Sequence, residues 1–133
     1  MPTVLVVDAS VLVVALADDG ADGDRVRARL RGEHLAAPEL IDLEVMSVVR
    51  VHSARRQLDT RRALQVVEDL SSLPLLRATH QPLLTRCWEL RENVSTYDAA
   101  YVALAELLGV DLLTADQRLA RAVGPRCRIE VIA

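Results

Sequence analysis

The chain contains no lysine: all 16 of its basic residues are arginine. A GC-rich genome is the expected cause of the bias, yet its consequence is chemical. Mechanisms that need a lysine nucleophile, a Schiff base or a phosphate-binding lysine are excluded. Phenylalanine is also missing, and there is a single tryptophan. Cys87 and Cys127 lie far apart without a C-x-x-C spacing, which reads as two reduced, packed thiols of a cytosolic protein. His34, His52 and His80 have no ligand spacing, so a zinc site is not expected. No long apolar run is present either. Residues 4–17 are apolar, but Asp8 and Ser10 interrupt them and the stretch is too short to cross a bilayer. A cytoplasmic protein with no membrane attachment is the expectation.

What remains is 133 residues, 51% hydrophobic and dominated by Val, Leu and Ala, enough for one domain over residues 1–133 with a real core. The net charge of −3 does not advertise nucleic-acid binding, though a local arginine patch or a metal ion supplies the same attraction. Strand and helix patterns alternate. Strands are expected at residues 3–7, 35–37, 75–78, 111–114 and 128–132. Between them, a helix runs to about Ala17, is broken by residues 18–24, and is followed by a short arginine-rich helix to Arg31. Pro38 suits the first turn of a helix that continues to about Arg56, and Asp59 caps another that ends near Ser72. Residues 81–92 read as a helix closed by Asn93. Ser95 or Thr96 caps a strong one from Tyr97 to Leu108, stopped by Gly109, and Asp116 to Val123 is short. This order predicts an α/β fold, a three-layer α/β/α domain around a mostly parallel sheet of four to five strands.

Asp8 directly follows the buried-type run Val4-Leu5-Val6-Val7, and Asp116 follows Leu112-Leu113-Thr114. Both therefore point to the carboxyl edge of the sheet, where open α/β sheets bind ligands. A buried carboxylate is costly unless it is paired, neutralised or bound to a metal. Each acid has a hydroxyl two residues away, Ser10 and Thr114. These hydroxyls either orient a metal water or a phosphate oxygen, or close the strand-to-helix turn. Helix capping explains one such acid and two matched ones less well. Glu44 has Leu40, Ile41, Ser47 and Val48 at helical neighbour spacing, so it faces the core rather than water. Glu39 and Asp42 look like ordinary partners of a helix N-terminus. Asp98 opens its helix, where the dipole alone favours an acid, but it shares its stripe with Tyr101, Val102 and Ala105, and the small pair Ala99-Ala100 leaves its face open.

Brought together, Asp8, Glu44, Asp98 and Asp116 would repel, and one would protonate unless a cation intervened. Carboxylates without His or Cys suit a hard divalent ion, Mg²⁺ or Mn²⁺. Metal-assisted phosphodiester hydrolysis is the chemistry that fits them.

The blocks VLVVDASVLV, PELIDLEV, YDAAYVALAELLG and LLTADQRLA resemble those of PIN-domain proteins over essentially the whole chain, and in length the chain looks like a VapC-type toxin of a bacterial toxin–antitoxin pair. The resemblance implies a Mg²⁺-dependent endoribonuclease that leaves a 3′-hydroxyl and a 5′-phosphate. Asp8, Glu44, Asp98 and Asp116 match the acidic quartet, with Ser10 and Thr114 at the supporting hydroxyl positions. Asp8 and Asp98 would be the direct metal ligands, and Glu44 and Asp116 would complete the cage through water or a second ion. Homodimers, a VapB-type antitoxin and a structured RNA substrate, tRNA or rRNA, are implied as well. Arg25, Arg27, Arg29, Arg31, Arg55, Arg56, Arg61 and Arg62 read chiefly as solvated faces, with phosphate contact as the alternative.

Other readings fall away on particular residues. An EF-hand would need a Glu where Arg29 stands, and a haloacid-dehalogenase-type phosphatase needs an Asp where Ser10 stands and a lysine besides. A receiver domain lacks its lysine too. The different-class alternative is a catalytically silent acidic module that acts through protein–protein contacts, opposed here by the intact quartet.

Overall fold

In the computed structural model, which describes residues 3–132, Val4–Val7 (β1), His34–Pro38 (β2), Leu75–Ala78 (β3), Leu112–Thr114 (β4) and Ile129–Val131 (β5) form one five-stranded sheet. Its order is β3-β2-β1-β4-β5, and each neighbouring pair is parallel. The expected three-layer α/β/α architecture is observed. The helices Ala9–Ala17 (α1), Ala21–Leu30 (α2), Leu40–Ala54 (α3) and Thr60–Ser72 (α4) pack together on one face. Leu84–Glu89 (α5) and Thr96–Leu108 (α6) cover the other, while Gln117–Arg121 (α7) lies against β4 and β5.

This layering follows from handedness. Parallel strands are joined by right-handed crossovers, so strands added outward in one direction place their helices on one face and strands added the other way place them on the opposite face. The chain moves from β1 out to β2 and β3, then returns past β1 to β4. The reversal lies between β1 and β4, where an open α/β sheet has its natural crevice. Both strands are buried through this centre: Val6, Val7, Leu112 and Leu113 are fully enclosed. Helix α6 is the most deeply seated, with every residue from Ala99 to Ala105 buried. Its alanines let its backbone approach β1 and β2 closely, and Gly109, at φ +68°, ends it in the left-handed conformation glycine tolerates.

Several local expectations need correction. Pro38 does not open a helix; it ends β2, opposite Ala78 in the register. The backbone N–H of Glu39 donates to the Ala78 carbonyl at 2.9 Å, and helix α3 begins only after it, at Leu40. The break expected over residues 18–24 is shorter, since α2 starts at Ala21 with Asp22 and Asp24 in its first turn. Gly23 permits the tight junction there, because a Cβ on it would meet the Asp18 carbonyl oxygen at 1.8 Å. The helix expected over residues 81–92 is a 3₁₀ turn, Gln81–Leu83, running into the short α5. Pro82 removes an amide donor at that start. Ala99 and Ala100 do not hold a face open beside Asp98; both are packed into the core.

Candidate active site

Asp8 is the residue on which the crevice is built. It follows β1 and is 6% exposed, with no cationic partner among the described residues. Its carboxylate is held by hydroxyls instead: Ser10 Oγ donates to Oδ1 at 2.5 Å and Thr114 Oγ1 donates to Oδ2. The Val11 amide donates to Oδ1 at 3.2 Å, so Asp8 also caps α1. The two hydroxyls are themselves fixed by the neighbouring turn. Ser10 Oγ accepts from the Ala115 amide at 3.0 Å, and Thr114 Oγ1 accepts from the Asp116 amide at 3.0 Å. One carboxylate therefore ties the ends of β1 and β4 together. Ligand and capping roles, alternatives at the level of sequence, are compatible at Asp8. Burial pushes its pKa above the usual carboxylate range, the two hydroxyls and the amide pull it back, and the charge of Asp98 pushes it up further.

Glu44 lies half-buried in α3 and accepts a hydrogen bond from the Tyr101 hydroxyl at 2.6 Å. Its pKa is raised, first by desolvation and then by Asp98 and Asp8, against the pull of that hydroxyl. Tyr101 is 1% exposed, and burial beside Glu44 keeps it firmly protonated. Helical spacing sets Tyr101 on the Asp98 face but assigns it no role. The signal was there, because residues three apart on a helix are neighbours and α6 thus offers Asp98 and a phenol to one place. Asp98 sits in the first turn of α6, whose amide at Asp98 is capped by Ser95 Oγ at 3.2 Å, so Ser95 rather than Thr96 is the cap. Asp116 caps α7 by accepting from the Arg118 amide at 2.9 Å.

All four acids line one cleft of about 590 Å³, with Ser10 beside them. Leu40, Leu43, Val48 and the exposed Tyr97 supply its apolar wall, and no arginine or histidine is among its lining residues. Thr114 stands behind the cleft, fully buried. Among the described residues, no three Asp, Glu, His or Cys side chains stand close enough to enclose an ion by themselves. The donor set nevertheless fits a hard cation that keeps several waters and takes only one or two carboxylates directly, as Mg²⁺ does.

The arginines divide. Arg29 pairs with Glu130 at 2.7 Å, Arg62 with Asp19 at 2.9 Å, and Arg25 and Arg27 with Asp22 and Asp24. Arg62 also donates to the Leu16 carbonyl, and Arg27 to those of Ala15 and Asp18, so these two fasten helices rather than wait for phosphate. Arg31, Arg55, Arg56 and Arg61 are exposed. Asp42, expected as a helix-dipole partner, pairs with Arg77 at 2.7 Å. Cys87 and Cys127 are free thiols, and burial pushes the Cys127 thiol up to about 11. No helix among the described residues is long and apolar enough to cross a membrane.

Comparison with known proteins agrees with this geometry. The family model described as PIN domain matches residues 5–125. Ribonuclease VapC12 of Mycobacterium tuberculosis is 40% identical over 129 residues, which cover 97% of this chain and 99% of that protein. Ribonuclease VapC9 of the same species is 41% identical over 131 residues, covering 96% and 98%. The crystal structure of DNA-bound VapBC from Salmonella typhimurium matches with a TM-score of 0.69 at 16% identity, covering 98% of each chain. At that identity the likeness is one of fold.

Proposed function

The chain belongs to the PIN-domain family and to its VapC group, and from that premise we propose that it is a divalent-metal-dependent endoribonuclease toxin acting in the cytoplasm. The observation that carries the reading is the buried, cation-free carboxylate of Asp8, held by two hydroxyls at the edge of a cleft that Glu44, Asp98 and Asp116 also line. A domain gains nothing in stability from four acids at one edge without arginine. The arrangement is useful once a cation arrives.

In this reading residues 1–133 act as one PIN domain, Asp8 and Asp98 are the direct ligands of a Mg²⁺ or Mn²⁺ ion, and Glu44 and Asp116 hold its waters. When bound, such an ion supplies charge for the phosphoryl oxygens and for the departing oxygen. The protein's own contribution is positional. Ser10 and Thr114 fix the Asp8 carboxylate, and Tyr101 fixes Glu44, so neither acid has to reorganise as the substrate enters. Glu44, held by the Tyr101 hydroxyl, orients the attacking water and accepts its proton. The water oxygen bonds to phosphorus, the bond to O3′ breaks, and O3′ takes a proton from solvent water, which balances the one given to Glu44. The products are a 3′-hydroxyl and a 5′-phosphate. The substrate is a structured cellular RNA, tRNA or rRNA, whose cutting stops translation. The toxin forms homodimers and is neutralised by a VapB-type antitoxin, a partnership suggested by the VapBC assembly of matching fold.

The test is incubation of the purified protein with total bacterial RNA in Mg²⁺ or Mn²⁺, in chelator, and alongside Asp8→Ala. Discrete fragments that need the metal and disappear in the variant are expected. Intact RNA with every metal tested, from folded protein free of antitoxin, would sink the reading.

A further inference from the structure

Resting on the ribonuclease reading, we propose that the RNA strand continues past the acids into a second groove, where Arg118 holds the phosphate of the nucleotide next to the cut. The acid cleft ends at Asp98 and Asp116, and these two residues are also the near wall of another groove, of about 280 Å³. Its floor is apolar, formed by Val94, Leu119 and Ala122, and its rim carries Asn93, Ser95 and Arg118. The two grooves thus form one path that crosses the sheet edge with the acids in the middle. A polynucleotide cut inside the chain must leave the reacting centre on both sides, and this path supplies both exits.

The charges say which group does what. Among the described residues, the acid cleft offers no cationic side chain, and Arg118 is the one basic residue lining either groove. Its side chain is 93% exposed and lies 3.7 Å from Asp116 Oδ1, too long for a hydrogen bond. An ion pair so open to water is worth little. Arg118 is therefore free to turn from Asp116 to a phosphate, where the guanidinium fork makes paired, charge-assisted hydrogen bonds. Arg29, Arg62, Arg77 and Arg86, by contrast, are committed to carboxylates within the fold at hydrogen-bond distance. In a chain without lysine, a cation held only by a loose, water-exposed ion pair at the boundary of two grooves is suited to a ligand's anion. Asn93 adds an amide to the lining of the same groove. Arg118 is a positioning residue here, since it touches a flanking phosphate and not the reacting atoms.

The test is fluorescence anisotropy with a labelled uridine dodecamer, Ca²⁺ replacing Mg²⁺, at several salt concentrations. Arg118→Ala is expected to weaken binding about tenfold and to reduce the slope of log affinity against log salt by about 0.7, one phosphate contact on a single strand. Arg118→Lys should recover most of the slope but not all of the affinity. Equal slopes for the wild-type protein and Arg118→Ala overturn the proposal, as does binding too weak to measure in both. Cleavage is scored separately on total RNA. Metal-dependent cutting with an unchanged KM in Arg118→Ala removes this proposal and leaves the nuclease. Arg118-dependent binding without cutting removes the nuclease and leaves the groove.

Discussion

Two regions of this molecule hold carboxylates withdrawn from solvent and treat them in opposite ways. On β5, Glu130 is clasped by Arg29, and near the end of α6 Glu106 is clasped by Arg86 at 2.7 Å and accepts from the Arg126 amide as well. Those partners hold both acids below the usual carboxylate range. At the edge of β1 and β4, Asp8 and Glu44 have hydroxyl partners, face Asp98, and are pushed above that range. The acids that fasten the fold are given an arginine; Asp8 and Glu44 are oriented by neutral donors and left with their charge uncompensated. On the proposed function, that second arrangement is a cost the folded state would carry until a cation binds.

The comparison predicts which changes act on activity and which on stability. The largest effect is expected for Asp98→Asn, which should lower RNA cleavage by at least about a hundredfold while the protein stays folded, as circular dichroism would show. A folded variant with full activity breaks the functional half of the comparison. Next comes Thr114→Val, which removes a donor from Asp8 without altering its charge. Cleavage should fall by about 10- to 100-fold, with weaker Mn²⁺ binding in a titration. An unchanged metal affinity would mean that the hydroxyl serves only the turn.

On the stabilising side, Arg86→Ala strands Glu106 and frees the loop at Gly124, whose carbonyl Arg86 also binds. A loss of about 1–2 kcal/mol is expected in urea unfolding, discounted for the pair's partial exposure. RNA cleavage per folded molecule should be unchanged. The smallest effect is one of pH. Asp8 and Glu44 have raised pKa values in the folded state, so the native protein holds their protons more tightly than the unfolded chain does. Their burial is tolerated below the ordinary carboxylate range and becomes a penalty as pH rises through the folded values. Asp8→Asn with Glu44→Gln should therefore match the wild-type Tm near pH 4 and exceed it at pH 7 by roughly 3 °C. Saturating Mn²⁺ should narrow that gap. A gap of the same size at both pH values would show that the charges are not the cause.

Much of this contrast was legible in the chain itself. Strand-end acids after VLVV and DLLT, and core-facing acids in two amphipathic helices, named the four carboxylates before any contact was known. The arginines were not separable in this way. Arg29 and Arg31 look alike in sequence, but Arg29 finds Glu130, 101 residues away, while Arg31 is exposed. Pairing at such separation is set by where β5 lands beside α2, and local pattern carries no record of it. Pro38 misled for a related reason. Its local preference for a first helical turn yields to the register of β2 against β3.

The sequence by itself determined the α/β alternation, the buried strands, the acids at their ends and the absence of lysine chemistry, because each is a property of a short segment or of composition. Only the tertiary structure decided that Ser10 and Thr114 would both close on Asp8, that Tyr101 would hold Glu44, and that Arg118 would stand where two grooves meet. These are relations between segments up to 106 residues apart. They exist because the chain reverses direction between β1 and β4 and brings the ends of both strands to one crevice.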